Sequence, residues 1–251
     1  MDELLQDRRR DRALRRDACH LRHERVDQVL TNGSGPRRQA ARPSQTPSID
    51  LESNMSSALL LLDLQNEMVD PNGKVGSHGL AGIVEERGVL RNAARALAAA
   101  RAASLAVVHV RLGFRPDYLD CLSVAGRIEE LKRNRAAIAG EWGSEFHPDV
   151  APIAGELVIT KQCVNPFFNT GLMTWLMQRG HRTLYLGGVA THLVVESTAR
   201  FADDAGFAPV VIEDMCAAPD AALHDHFIAK IAPAIGRVVT TSDFLNAPGK
   251  A

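Results

Sequence analysis

Short apolar runs alternate with longer amphipathic stretches from residue 58 nearly to the end of the chain. The apolar runs predict strands at residues 58–62, 105–110, 156–160, 183–186, 208–212 and 237–240. Helical spacing of apolar residues predicts helices at 83–103, 170–179, 191–205 and 220–231. Because buried strands alternate with helices, we predict an α/β fold: a doubly wound parallel sheet forming the middle of three layers.

Three chemically suggestive features follow predicted strands. Asp63 comes after the first strand, Lys161 after the third, and a glycine turn at 188–191 after the fourth. Considered by itself, Asp63 is explained as a cap of the turn that follows the strand. Lys161, considered by itself, is explained as a solvent-exposed lysine at the end of a strand. Ligand sites in parallel sheets collect at the carboxyl ends of strands. We therefore expect Asp63 and Lys161 to share one pocket, where a lysine holds a carboxylate ready for proton transfer.

The stretch at 183–198 predicts a strand, a tight glycine turn and a helix that begins with Thr191 as its N-cap. The first N–H groups of such a helix point at the turn, which suits an oxyanion hole or a thiolate nucleophile. Neither cysteine nor serine occupies the first helical turn; Val194 stands there instead. His192 in the same turn is expected at the rim of the site.

The region 112–148 has weak periodicity and contains Phe114, Tyr118 and Trp142, so we expect it to form a lid over the site. Cys163, two residues after Lys161, is expected to be a packing residue, with a displaced nucleophilic thiol as the alternative. His109 lies inside a strand and is expected to be a core residue. No array with metal-ligand spacing is present, and we expect neither a metal nor a cofactor.

Composition narrows the class of protein. The chain has 251 residues, of which 45% are hydrophobic and 24% charged, and its formal net charge is −1. This balance suggests no nucleic-acid or anionic-membrane partner. No apolar run approaches the roughly 20 residues needed to cross a bilayer. The four cysteines have no disulfide-like spacing, which favours a reduced, cytoplasmic setting.

Residues 1–54 differ in composition from the rest of the chain. They contain eleven arginines, no lysine and few large apolar residues. We expect a disordered arginine-rich leader here, with Met55 as the natural start and residues 55–251 as the folded domain.

Four motifs in order resemble the isochorismatase-like hydrolases, also called the cysteine hydrolase superfamily. They are Leu60-Leu61-Leu62-Asp63-Leu64-Gln65-Asn66-Glu67, Val158-Ile159-Thr160-Lys161 with Asn165-Pro166-Phe167-Phe168-Asn169-Thr170, Gly188-Val189-Ala190-Thr191 with Glu196-Ser197-Thr198-Ala199, and Val211-Ile212-Glu213-Asp214. The resemblance covers residues 58–245.

The resemblance implies a catalytic triad whose aspartate and lysine match Asp63 and Lys161. The position of the family cysteine corresponds to Val194, which cannot attack a carbonyl. The resemblance also implies a cis peptide between Val189 and Ala190, and a likeness to oligomeric relatives suggests a homo-oligomer. Substrate-binding or oxyanion residues are expected at these positions: Gln65, Trp142, Phe168, Val189, Ala190, Thr191 and Val194.

Three functions remain open at this point. The first is hydrolysis of a small metabolite by Asp63 and Lys161 without a cysteine nucleophile. The isochorismatases proper provide a precedent, since they cleave an enol ether with an acidic aspartate and water, although their turn sequence differs. The second is a non-catalytic small-molecule binder. The third is an amide (C–N) hydrolase that uses a displaced thiol such as Cys163.

Overall fold

A computed structural model of the protein describes residues 56–249, so the expected leader at 1–54 lies outside the described residues. The strands within this range are β1 Ser56–Leu62, β2 Ala106–Leu112, β3 Leu157–Lys161, β4 His181–Val189, β5 Ala208–Ala217 and β6 Arg237–Val239. The α-helices are α1 Asn66–Val69, α2 Leu80–Glu86, α3 Val89–Ala102, α4 Gly126–Arg133, α5 Leu172–Gln178, α6 Glu196–Asp204, α7 Ala221–His226, α8 Ala232–Ile235 and α9 Thr241–Asn246. No helix in this range is both long enough and apolar enough to span a membrane.

The strands of residues 56–249 form one parallel sheet in the order β3-β2-β1-β4-β5-β6. Alternate residues of β1 point to opposite faces: Leu59 and Leu61 pack with α2, α3 and α9, whereas Leu60 and Leu62 pack with α5, α6 and α8. Helices therefore cover both faces, and the predicted three-layer doubly wound architecture is confirmed.

The chain winds outward in two directions from the middle of this sheet. From β1 it proceeds through β2 to β3 on one side, and from β4 through β5 to β6 on the other. The order of strands thus reverses between β1 and β4, where a crevice opens at the carboxyl ends. The turn after β1 carries Asp63-Leu64-Gln65-Asn66-Glu67 and not the glycine-rich fingerprint of dinucleotide-binding folds.

Two predicted helices differ from those in the structure. The helix expected at 83–103 is two helices, α2 and α3, separated at Gly88, which adopts a left-handed conformation (φ +65°). The helix expected at 220–231 is shorter and continues as a π-helical segment, Phe227–Ile231, into α8. The breaks arise from backbone conformations that apolar periodicity does not encode.

The helix expected at 191–205 begins with a π-helical turn, Thr191–Val195, before α6. The N-cap position belongs to Ala190, so the prediction that Thr191 caps this helix is wrong. The Thr191 hydroxyl is instead 2.9 Å from Nδ1 of His224.

Candidate active site

Asp63 is the first residue beyond β1. Its N–H donates to the carbonyl of Val110 (2.9 Å), so the sheet hydrogen bonding extends one residue past the strand. Its φ of +56° is left-handed, a conformation that aspartate tolerates better than most residues. This bend leaves the Asp63 side chain 7% exposed at the switch point between β1 and β4.

Lys161 ends β3 and reaches across β2 to Asp63. Its Nζ lies 2.7 Å from Oδ2 of Asp63, and its side chain is 1% exposed. The expectation that the two side chains share one pocket is therefore confirmed. The other carboxylate oxygen, Oδ1 of Asp63, is buried and has no hydrogen-bond partner among residues 56–249.

The protonation of Asp63 reflects two opposed influences. Burial raises the pKa of Asp63 above its ordinary value, while the charge and hydrogen bond of Lys161 pull that pKa down; burial prevails. A carboxyl group with a raised pKa accepts and returns a proton near neutral pH more readily than an exposed aspartate.

The turn after β4 forms the opposite side of the crevice. Gly188 has a φ of +149°, and a Cβ there would overlap the carbonyl oxygen of Leu62. Glycine is thus required where β4 passes the end of β1. The next peptide, between Val189 and Ala190, is cis, as the resemblance implied. The Ala190 carbonyl accepts the N–H groups of Leu193 (3.1 Å) and Val195 (3.5 Å).

A cavity of about 300 Å³ occupies this crevice. Asp63 and Lys161 line it together with Val189, Ala190 and Val194 of the turn. The expected lid also contributes: α4 and the residues after it line the cavity through Arg127, Ile128, Glu130, Leu131, Asn134 and Ala136. The structure therefore brings both suggestive strand ends, the turn and the lid around one space.

Val194 and Cys163 both line this cavity. Val194 is 2% exposed and also packs into the core on the α5 and α6 face of the sheet. Cys163 is half-buried; its Sγ–H donates to the carbonyl of Asn165 (3.3 Å), and burial raises the pKa of the thiol. The surroundings thus keep Cys163 protonated, the opposite of what activates a nucleophilic thiol.

A buried carboxylate holds the lid in place. Oε1 of Glu67 accepts the N–H of Lys74 (2.6 Å), and Oε2 accepts the N–H of Ala137 (2.7 Å). Nζ of Lys74 in turn donates to the carbonyl of Arg135 (2.6 Å). Glu67 thereby joins the loop after α1 to the segment after α4, and both segments line the cavity.

Four residues expected to bind substrate do not line the cavity. Gln65 is fully buried, with its amide donating to the carbonyls of Leu112 and Gly143 and accepting the N–H of Leu112. Trp142 and Phe168 are 48% and 60% exposed, away from the cavity. Thr191 lies behind the turn, fully buried. These side chains either satisfy neighbouring polar groups or face solvent.

Thr191 belongs to a polar chain behind the turn. Nη2 of Arg87 lies 2.9 Å from Nε2 of His224, whose Nδ1 contacts Thr191. Because a guanidinium only donates, Nε2 accepts and the proton of neutral His224 resides on Nδ1. Burial, followed by the charge of Arg87, lowers the pKa of His224 to about 4.

Sequence reasoning missed the cationic contributors to the cavity lining, Lys74 and Arg127. Neither follows a strand or belongs to a motif, and the expectation of a lid at 112–148 was the one signal that covered Arg127. His192, expected at the rim, also lines the cavity; burial lowers its pKa, which keeps the imidazole neutral.

Within the part of the chain that the structure describes, no three His, Cys, Asp or Glu side chains are grouped so as to hold a metal ion. His109, expected in the core, is fully buried with Nε2 2.8 Å from Glu156. The candidate chemistry at the crevice therefore rests on Asp63, Lys161 and the turn.

These features define a doubly wound α/β domain with a ligand cavity at its switch point. Within that class, the chain belongs to the isochorismatase family: the isochorismatase domain profile matches residues 57–243, which contain nearly the whole sheet. The family resemblance inferred from the four motifs is thus confirmed.

Among similar proteins, a ureidoacrylate amidohydrolase of Variovorax paradoxus is 32% identical over 202 residues, 75% of this chain and 80% of that protein. The solved structure of an isochorismatase family protein from Desulfovibrio vulgaris matches with a TM-score of 0.69 and 26% identity, covering 78% of this chain and all of that one. An N-carbamoylsarcosine amidase from Thermoplasma acidophilum matches with a TM-score of 0.59 and 26% identity, covering 74% and 97%.

Proposed function

We propose that this protein hydrolyses a small metabolite by acid–base catalysis at Asp63 and Lys161, without a cysteine nucleophile. The observation that carries the proposal is the buried ion pair: Nζ of Lys161 lies 2.7 Å from Oδ2 of Asp63, while Oδ1 of Asp63 has no partner among residues 56–249. A buried charge pair is costly to maintain, which favours a catalytic use over a relict one.

In this mechanism a water molecule is the nucleophile. The water oxygen attacks the electrophilic carbon while Asp63 takes a proton from the water. Asp63 then gives that proton to the leaving group as the scissile bond breaks. Lys161 orients the carboxylate and binds a substrate oxygen. The N–H group of His192, which lies in the first helical turn and has no acceptor one turn back, stabilises the developing negative charge.

The absence of a thiol at the turn supports a non-covalent route. Val194 occupies the position at which the family resemblance places the nucleophilic cysteine. The names of the amidohydrolase and amidase relatives favour the C–N bond of an amide or ureido group as the bond cleaved. General acid–base catalysis contributes roughly 10²- to 10⁴-fold, so a reactive substrate suits such a site.

Two other functions compete with this proposal. An amide hydrolase that uses Cys163 has proximity in its favour, since the thiol lines the same cavity as Lys161. The raised pKa of that thiol opposes it. A non-catalytic binder would retain the cavity and dispense with proton transfer by Asp63.

The test is product release from small ureido acids, amides and enol ethers, measured for the natural sequence and two variants. Asp63→Asn keeps the shape of the site and removes the proton carrier, so turnover should fall at least 100-fold. Cys163→Ala should leave the rate nearly unchanged, and intact-mass spectrometry during turnover should show no covalent adduct.

An adduct that disappears in Cys163→Ala would establish the displaced thiol instead. Ligand binding that survives Asp63→Asn, with no turnover of any compound by the natural sequence, would establish a binding protein.

A further inference from the structure

The walls of the cavity are aliphatic. Among the described residues that line it, none is phenylalanine, tyrosine or tryptophan. The apolar surface comes from side chains such as Met68, Leu80, Leu112, Ile128, Leu131 and Val164. The aromatic rings in the lining are the imidazoles of His78 and His192. A flat carbocyclic ring would therefore find no phenyl or indole face to stack on and would gain mainly from burial of its area.

Apart from the basic and acidic residues, hydrogen-bonding side chains are few on the same walls: the imidazoles of His78 and His192, the thiol of Cys163 and one amide. Asn134 supplies the one side-chain amide in the described part of the lining, which contains no serine, threonine or glutamine. A substrate rich in hydroxyl groups would exchange its hydrogen bonds with water for apolar contacts, at a considerable cost in free energy. The walls therefore select against sugars and other polyols.

Charge at the cavity favours an anion. Three basic side chains, those of Lys74, Arg127 and Lys161, line it together with two acidic residues, Asp63 and Glu130. Lys161 is engaged with Asp63, and Nζ of Lys74 donates to the carbonyl of Arg135. Arg127 forms no ion pair with any residue between 56 and 249, and it lies exposed on the lid.

The position of Arg127 on its helix reinforces this preference. It is the second residue of α4, at the positive end of the helix dipole, where a cation is unfavourable unless an anion approaches. No side chain caps this end of α4. An anionic ligand at the mouth would therefore complement both the guanidinium and the helix terminus. With Glu130 counted, the basic residues of the lining exceed the acidic ones by one, which matches a ligand with a single negative charge.

We propose that the site takes a small monocarboxylate with an aliphatic body, and that Arg127 is the residue that selects for the carboxylate. The aliphatic body lies against the walls, and the carboxylate meets Arg127 at the mouth. The reacting group then reaches Asp63 at the floor; this last point rests on the hydrolase function proposed above, whereas the ligand class does not. A volume of about 300 Å³ is at the small end for ligand pockets and limits the body to a short chain.

The test measures equilibrium binding to the full chain by NMR titration with three probes. Hexanoate carries both features, 1-hexanol has the aliphatic body without the charge, and benzoate has the charge with a flat ring. Hexanoate should bind more tightly than either of the other two. Arg127→Gln should weaken hexanoate binding about 3- to 10-fold and leave 1-hexanol unchanged, because one charge-assisted contact is lost.

Arg133→Gln is the matched control, since Arg133 is an exposed arginine at the other end of α4 that does not line the cavity. It should bind hexanoate like the natural sequence. Benzoate binding as tightly as hexanoate, equal affinities for hexanoate and 1-hexanol, equal effects of the two arginine variants, or no binding of any probe would each overturn the proposal.

Asp63→Asn separates this inference from the proposed chemistry. The variant should still bind hexanoate, because the carboxylate of the ligand contacts Arg127 and not Asp63. If the probes bind as expected but no compound is turned over, the ligand class stands and the hydrolase proposal fails. If turnover is found only with aromatic or polyhydroxylated compounds, the hydrolase stands and the ligand class fails.

Discussion

At the scale of single residues, the site is defined by what surrounds each side chain and less by residue type. Aspartate and lysine are usually found at protein surfaces, yet at the switch point Asp63 and Lys161 are buried as an ion pair, and burial raises the pKa of Asp63. Val194, in contrast, stands in the turn where N–H groups would activate a thiol and carries no reactive atom.

Restoring a thiol at this position should therefore create a reactive one. In a Cys163→Ala background, we expect Val194→Cys to be alkylated by iodoacetamide several-fold faster than Cys121 of the same molecule. The N–H groups of the first turn and the ammonium of Lys161 both favour a thiolate there. Intact-mass spectrometry and peptide mapping give the two rates.

Cys121 is a suitable internal reference because it is partly exposed and does not line the cavity. Cys is smaller than Val, so the substitution should cost only about 0.5–1.5 kcal/mol of stability. Alkylation of the introduced thiol no faster than that of Cys121 would show that the turn does not activate a nucleophile at position 194.

At the scale of elements, the strands and their ends could be predicted from the sequence. For the lid, the sequence predicted the region of the chain but not the residues that line the cavity. Apolar runs identify the strands. Because the strands of a parallel sheet all run in the same direction, their carboxyl ends lie at one edge of the sheet. Asp63, Lys161 and the turn at 188–194 follow from that reasoning. Which lid residues reach the cavity depends on hydrogen bonds between distant segments.

Two aromatic residues illustrate the limit. Trp142 belongs to a short 3-10 turn whose carbonyl accepts the amide of Asn66 (3.0 Å), and its side chain is left exposed. Phe168 follows the Asn165-Pro166 turn and faces solvent as well. In both cases the backbone contact determines where the segment lies, and residue type gives no sign of it.

Glu67 should govern how firmly the lid is held. In Glu67→Gln, one carboxylate oxygen is replaced by an NH₂ group that faces a backbone N–H, so one of the two lid contacts is lost. We expect hydrogen exchange to become faster in residues 126–140 and the free energy of unfolding to fall by about 1–3 kcal/mol. Hydrogen-exchange mass spectrometry and urea denaturation measure the two effects.

Glu129→Gln provides the control on the lid itself. Glu129 pairs with Lys132 at 3.0 Å on an exposed face of α4, and such pairs contribute at most about 1 kcal/mol. Exchange in the lid should be unaltered in this variant. If Glu67→Gln leaves exchange at 126–140 unaltered as well, the lid is held by apolar packing and not by the buried carboxylate.

At the scale of the whole molecule, two polar networks tie the helical layers and the sheet together. Glu156 accepts hydrogen bonds from Arg101 of α3 and contacts His109 of β2. Arg87, next to α2, joins Glu213 of β5 to His224 of α7, which reaches Thr191. Each network contains a group whose pKa is displaced by folding, so both connect global stability to pH.

The two groups act in adjacent pH ranges with the same sign. Burial opposes ionisation of Glu156, yet hydrogen bonds from Arg101, the Ile153 N–H and His109 lower its pKa from 4.5 to about 2. The pKa of His224 falls from 6.5 to about 4. In each range the unfolded chain binds more protons than the folded one, so the free energy of unfolding decreases as the pH falls.

We therefore expect acid to weaken the protein in two stages. Between pH 6.5 and about 4 the natural sequence should lose stability faster than His224→Asn, whose amide retains a donor towards Thr191 but does not titrate. The difference in slope approaches about 1.4 kcal/mol per pH unit for one proton. Comparison with the variant isolates His224 from His109, His181 and His192, whose pKa values are also lowered by burial.

Below pH 4.5 the contribution of Glu156 is lost in turn, and Glu156→Gln should reduce the pH dependence of that second stage, to which Asp117 and Asp243 also contribute through their lowered pKa values. Urea denaturation across both ranges measures the slopes. Parallel curves for the natural sequence and His224→Asn would mean that His224 titrates alike in the folded and unfolded chains. The chain of contacts from Arg87 to Thr191 would then not hold its imidazole neutral, and the turn beside the cavity would have to be positioned by the backbone of β4 and by the packing of Val194 and Val195.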